Sequence, residues 1–421
     1  MLRTTVAALV AALLVATPAG ASNWIQLGVV DTTEAIGNTP RFSNTLDTLR
    51  PQIVRVTLSW GGVLGVARER PDHGTNPEDP AYEWDRYDAA VLAASQRGVR
   101  VVFTIFGTPW WANGGQPQNK APQNFTRLRE FAYAAAFRYS GRYARPDGVV
   151  LPRVSLWTAW NEPNLPLGLK PQWRKIGGRW VIQSARDYAR ICNAVYEGVH
   201  LTLLRGQKVA CGVTSPRGNN APATKRPSTS PIGFLRAAKA AGMRTFDAYA
   251  HHPYAGDPAY RPSARPRNPR AITLANIGKL IDEVTILYGE KPIWITEYGY
   301  ETSPPDHIFG VSWDRQARYM REAYTIARRN PRIDMMLWFL VRDEGRATGW
   351  QSGLVSAAGR RKPSFYEFQR LAAGVRRHHL AILRRKPMFE RNSFIRQIIE
   401  DSKAEISMRQ WIGLAPYLGG A

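Results

Sequence analysis

Eight short runs rich in apolar and β-branched residues punctuate the chain, at 25–30, 53–58, 100–105, 154–160, 208–213, 246–251, 293–296 and 334–340. Runs of this length bounded by Gly, Pro and Asn read as strands. Helical periodicity lies between most neighbours. In 184–203, Tyr188, Ile191, Cys192, Val195, Tyr196 and Val199 fall at i, i+3, i+4 and i+7 spacing and make one apolar face. Segments 273–287 and 313–328 read the same way. Strand and helix in eightfold alternation predict an α/β fold, a parallel (β/α)8 TIM barrel. A doubly wound open sheet is the alternative, but no Gly-rich phosphate turn follows an early strand.

Long Gly/Pro/Asn-rich loops follow the second strand (61–80), the third (107–123), the fourth (161–178) and the fifth (216–231). In a barrel these loops lie on the C-terminal face, where active sites are built. Their size predicts a cleft for an extended ligand.

The ends differ from the middle. Met1-Leu2-Arg3, an apolar stretch over 6–16 and Ala19-Gly20-Ala21 read as a secretory signal peptide covering 1–21. The stretch is well short of the ~20 residues a bilayer span needs. Mature protein beginning near Ser22 is therefore expected to be secreted or held at the cell surface. No later stretch is long and apolar enough to cross a membrane. A catalytic domain is expected over 22–373, and a basic C-terminal extension of unassigned role over 374–421, with Arg376, Arg377, Arg384, Arg385 and Lys386. Cys192 and Cys211 are the only cysteines; a disulfide and two buried thiols are both open readings, and neither residue has the neighbours of a zinc site.

Charge needs separate treatment, because 57 basic against 33 acidic residues give +24. A nucleic-acid partner would need clustered cations. Here only 11 of the basic residues are lysine and the arginines run the length of the chain, so no nucleic-acid partner is expected. The charge does permit attraction to an acidic polysaccharide or an anionic cell surface. A monomer is expected.

Two strand ends carry glutamates suited to glycoside cleavage, in which one carboxylic acid protonates the leaving oxygen and a carboxylate about 5 Å away attacks the anomeric carbon. Glu162 closes the fourth strand in Trp160-Asn161-Glu162-Pro163-Asn164, and Glu297 closes the seventh in Thr296-Glu297-Tyr298-Gly299. Trp60, Trp110 and Trp111, after strands two and three, are candidates for stacking on sugar rings.

With these motifs in these places, the region from Trp24 to Leu371 resembles the clan A glycoside hydrolases, in particular the family 39-like and family 5-like members. The resemblance implies Glu162 as acid/base after Asn161, and Glu297 as nucleophile. It implies Arg55 beneath the nucleophile, keeping it ionised, and His252 and Tyr254 as the clan's His-x-Tyr, with the tyrosine hydroxyl on the nucleophile. It further implies Asn161 on the sugar 2-hydroxyl and Trp338 as floor of the −1 subsite. The implied reaction is retaining hydrolysis or transglycosylation of a β-linked poly- or oligosaccharide, with no metal or organic cofactor. Glu162 should be held protonated and Glu297 ionised. A non-catalytic carbohydrate-binding barrel is the competing expectation. His251 is read as structural, Glu301, Asp343 and Glu344 as bystanders, and Glu34 as a solvated loop carboxylate.

Overall fold

A computed structural model describes residue 22 and residues 24–385, except 259 and 347. The signal-peptide reading over 1–21 and most of the basic extension fall outside those residues.

The eight expected strands all form and close into a parallel barrel: β1 Gln26–Val30, β2 Ile53–Ser59, β3 Arg100–Phe106, β4 Leu156–Ala159, β5 Lys208–Thr214, β6 Ala248–His251, β7 Ile293–Tyr298 and β8 Ile333–Phe339, with β8 pairing back on β1. Closure removes the doubly wound alternative. Each strand is followed by a shell helix; those after β4, β7 and β8 are Gln183–His200, Trp313–Arg328 and Pro363–Arg385. The last helix runs through residue 373 without a break, so the start of the basic extension continues the barrel's shell.

Side-chain alternation divides the interior. Val30, Ile53, Val102, Leu156, Trp294, Met335 and Leu337 fill the barrel lumen, whereas Val29, Val54, Phe103, Trp157, Ile295 and Met336 pack outward against the helices. Cys192 on the helix after β4 and Cys211 on β5 form a disulfide with Cα atoms 5.9 Å apart, which settles the open cysteine question. The loop after β4 holds an antiparallel hairpin, Trp173–Ile176 with Arg179–Ile182, not expected from sequence. No helix among the described residues is long and apolar enough to cross a membrane.

Candidate active site

Above the apolar lumen lies a polar layer. Arg55 points inward from β2, two residues beyond Ile53, and is 2% exposed. Its Nε donates to Thr104 Oγ1 (2.6 Å), itself bonded by Thr158 Oγ1 (2.7 Å), so neighbouring strands fix the guanidinium before any ligand arrives. Its two remaining nitrogens diverge: Nη1 donates to Glu297 Oε1 at 2.5 Å and Nη2 to Asn161 Oδ1 at 2.7 Å. Asn161 is thereby left with its amide N–H groups to offer a ligand.

Strict alternation would turn Glu297 outward, because Thr296 already faces the lumen and bonds His252 Nε2 (3.0 Å). A bulge resolves this: Ile295 pairs with Met336 and Tyr298 with Trp338, so β7 has one residue more than β8 and Glu297 swings over the mouth. There Tyr254 OH donates to Glu297 Oε2 at 3.0 Å, and His252 Nδ1 lies 3.5 Å from the same oxygen. Burial opposes ionisation of Glu297, but the charges of His252 and Arg55 and the hydrogen bonds from Arg55 and Tyr254 outweigh it and hold the carboxyl below its usual range. Burial, and then the neighbouring carboxylates, drives the Tyr254 phenol well up, so it remains a donor.

Glu162 reaches the site from a tight turn. Trp160 and Glu162 have left-handed φ values of 71° and 42°, secured by backbone bonds from Trp160 to Ile105 (2.8 Å) and from Glu162 to Val213 (2.9 Å). Gly168 closes over this turn: a Cβ there would meet the carbonyls of Asn161 and Glu162 at 2.3 and 2.2 Å, so no side chain fits. The Glu162 carboxylate is partly exposed and its Oε1 lies 3.0 Å from His252 Nδ1. Glu162, His252 and Glu297 each offer one ligating atom, all within 4.8 Å of one another. A metal ion placed among them would face the fixed charge of Arg55.

Eight of the ten residues singled out from sequence stand at or beside the mouth: Glu162, Glu297, Asn161, Arg55, His252 and Tyr254 in one network, Trp110 exposed on the turn Trp110–Asn113, and Trp111 half-buried behind it. The other two do not. Trp338 belongs to the outward set, with its Nε1 bonded to Ser352 O (2.9 Å), while Phe339 takes the inward place at the mouth, edge-on to exposed Trp350 (5.6 Å). Trp60 is buried against Phe131 of the helix shell (5.9 Å) and cannot stack on a sugar. Trp111 spends its indole N–H on Ala67 O (3.0 Å).

His251 is buried between Thr214 Oγ1 (2.8 Å) and Ile272 O (3.0 Å), and burial lowers its pKa to about 3, a structural neutral imidazole as read from sequence. Asp343 is buried against Lys362 at 2.7 Å. Glu34 is not solvated: it is 5% exposed and accepts from Arg342 Nε at 2.8 Å.

Residues 234–367 match the family model for the glycosyl hydrolase catalytic core. No curated protein sequence matches the chain. Among solved structures it is similar to a family 39 glycoside hydrolase from Bacteroides cellulosilyticus, at 16% identity over 83% of this chain, with a TM-score of 0.57; the chain spans 64% of that protein's length. It is similar also to a family 5, subfamily 18 enzyme from Streptomyces cattleya in complex with GlcNAc (16% identity, 85% of this chain and 81% of the other, TM-score 0.52). A β-glucosidase from Exiguobacterium marinum gives 12% identity, 84% of this chain, 98% of the other and a TM-score of 0.53. These likenesses carry the barrel fold, and the segment that includes His252, Tyr254 and Glu297 is similar to a glycosyl hydrolase catalytic core.

Proposed function

We propose that this protein hydrolyses β-linked O-glycosidic bonds of a poly- or oligosaccharide by double displacement, with Glu162 as acid/base and Glu297 as nucleophile. The carrying observation is that carboxylate oxygens of the two residues lie within 4.8 Å, while Arg55 and Tyr254 each hold one oxygen of Glu297. That spacing suits direct attack; an inverting pair stands roughly 6.5–9.5 Å apart to admit a water.

In the first step a Glu297 oxygen bonds to the anomeric carbon as the glycosidic C–O bond breaks, and Glu162 gives its proton to the departing oxygen. Glu162, now a carboxylate, then takes a proton from water, whose oxygen displaces Glu297 and restores both groups. Asn161, its carbonyl oxygen held by Arg55, is placed to donate to the sugar as charge develops. Phe339, rather than Trp338, offers the aromatic face at the lumen end. The similar β-glucosidase supports the β-linkage.

We also propose that the protein acts outside the cytoplasm; the leader-like pattern at 1–21 and the Cys192–Cys211 disulfide support this. Fractionation of producing cells, with the activity in the medium or envelope, is the expected result.

The reaction is tested with aryl β-glycosides. Glu297→Ala should lose nearly all turnover, and azide should restore part of it. Glu162→Ala should retain more activity on activated leaving groups than on poor ones. Wild-type turnover in both variants would refute the assignment.

A further inference from the structure

Three adjacent loops at the mouth of the barrel are strongly basic. Segments 161–182, 215–230 and 252–272, which follow β4, β5 and β6, contain eleven Lys or Arg residues against two acids, Glu162 and Asp257. All eleven basic side chains are exposed. The balance differs from loop to loop: 60–84, after β2, holds five acids to two arginines, and 299–312, after β7, holds two acids and no Lys or Arg, whereas 340–362, after β8, holds five Lys or Arg to two acids. Elsewhere several arginines have carboxylate partners, as in Arg138 with Asp88 (2.6 Å), Arg236 with Glu283 (2.6 Å) and Arg321 with Glu367 (2.7 Å). Of the eleven, Arg261 alone has a carboxylate at ion-pair distance among the described residues. A compositional bias explains a high number of arginines; it does not explain why acids are missing from three adjacent loops.

Arg217 is the member of this group tied to the acid/base turn. Asn164, two residues after Glu162, donates through Nδ2 to the carbonyls of Ser215 (3.2 Å), Arg217 (3.1 Å) and Thr229 (3.0 Å), and accepts from Ser215 N (2.9 Å). The acid/base turn and the β5 loop are thus one rigid piece. The Arg217 guanidinium is braced from the other side by a bond to Gly256 O (3.1 Å), and it is exposed, with no carboxylate at ion-pair distance among the described residues. Farther out, Lys175 lies over Trp180 (5.2 Å) and Arg267 over Tyr260 (5.4 Å), so cations and aromatic rings share the same loops.

We propose that this rim binds a polyanionic glycan, a chain bearing carboxylate or sulfate groups, with Arg217 holding an acidic group on the leaving-group side of the scissile bond. The assignment of that side rests on Glu162 being the acid/base. Unpaired cations on one wall of a cleft attract an anionic chain, in a salt-dependent way, and orient it.

The test is a titration of the full chain carrying Glu297→Gln, so that binding is read without turnover, against polygalacturonate, dextran sulfate and neutral dextran. Binding of either polyanion well above neutral dextran, weakening by about tenfold as salt rises from about 50 to about 300 mM, is expected. Arg217→Ala should weaken polyanion binding by about tenfold and Arg217→Lys should recover part of the loss. Arg205→Ala, the same charge change at an exposed site just before β5 on the opposite face, should alter it less than about twofold. Equal binding of neutral dextran, or equal effects of the Arg217 and Arg205 changes, would overturn the proposal. Loss of aryl-glycoside hydrolysis would bear on the catalytic reading alone, since this titration needs no turnover.

Discussion

Arg55 and Glu297, 242 residues apart in sequence, share a 2.5 Å hydrogen bond at the floor of the barrel mouth, and Arg55 is itself immobilised by Thr104 before it reaches the carboxylate. A buried cation at that distance stabilises the ionised form of a group that burial alone would protonate.

Removing that cation should therefore move the acidic limb of activity. Glu297 works as the carboxylate, above its pKa, and Arg55 contributes to holding that pKa down. In Arg55→Met the pKa rises, so the acid limb of kcat/KM is expected to move to higher pH by about one unit or more, with reduced activity at neutral pH. A pH–rate profile checks this, and an unmoved limb would mean that Arg55 does not set the ionisation.

Asp31 gives a stability prediction of the opposite sign. Its Oδ1 caps the helix Thr32–Gly37 at Glu34 N (2.9 Å), while its Oδ2 is buried with no hydrogen-bond partner among the described residues. Burial, then the charge of Glu34, raises its pKa from 3.8 to about 7. The folded state thus prefers the proton, and the contribution of Asp31 to stability is full below pH 3.8 and lost as pH rises to about 7. Asp31→Asn keeps a capping oxygen without the charge. It should match wild type near the acid end and exceed it at pH 8 by a few kcal/mol, because each tenfold difference in proton affinity between the folded and unfolded chain is worth ~1.4 kcal/mol. Denaturant melts across pH check this; a gap independent of pH would contradict it.

The tryptophans should separate by function. Trp60→Ala empties a packed site against Phe131 and is expected to cost about 3–5 kcal/mol of stability. Trp110→Ala, at 67% exposed, should leave the melting temperature nearly unchanged and raise KM on oligosaccharides. Melting curves and oligosaccharide kinetics on both variants decide it; a Trp60 change felt only in KM would restore that residue to the cleft.

The barrel was legible because its strands are short apolar runs bounded by loop residues, a pattern that survives without tertiary information. The two glutamates were legible because strand-end placement follows from the same pattern. Facing direction was not. Every residue of Met335-Met336-Leu337-Trp338-Phe339 is apolar, so nothing in the composition of β8 says which alternate set enters the lumen, and the tryptophan proved to be in the outer set. The β7 bulge that aims Glu297 is likewise a relation between two strands, visible only in their register. Glu34 read as solvated because Arg342, which buries and pairs with it, is 308 residues away. The hairpin in the loop after β4 escaped notice because its residues are mostly exposed and each arm is only four residues long.

The central claim is that Glu162 and Glu297 act as acid/base and nucleophile, and the most direct test is the anomer formed first. Proton NMR of an early time course on an aryl β-glycoside should show the β-anomer of the released sugar appearing before mutarotation, the outcome of two displacements at one carbon. Initial appearance of the α-anomer would mean a single displacement by water and would contradict the account.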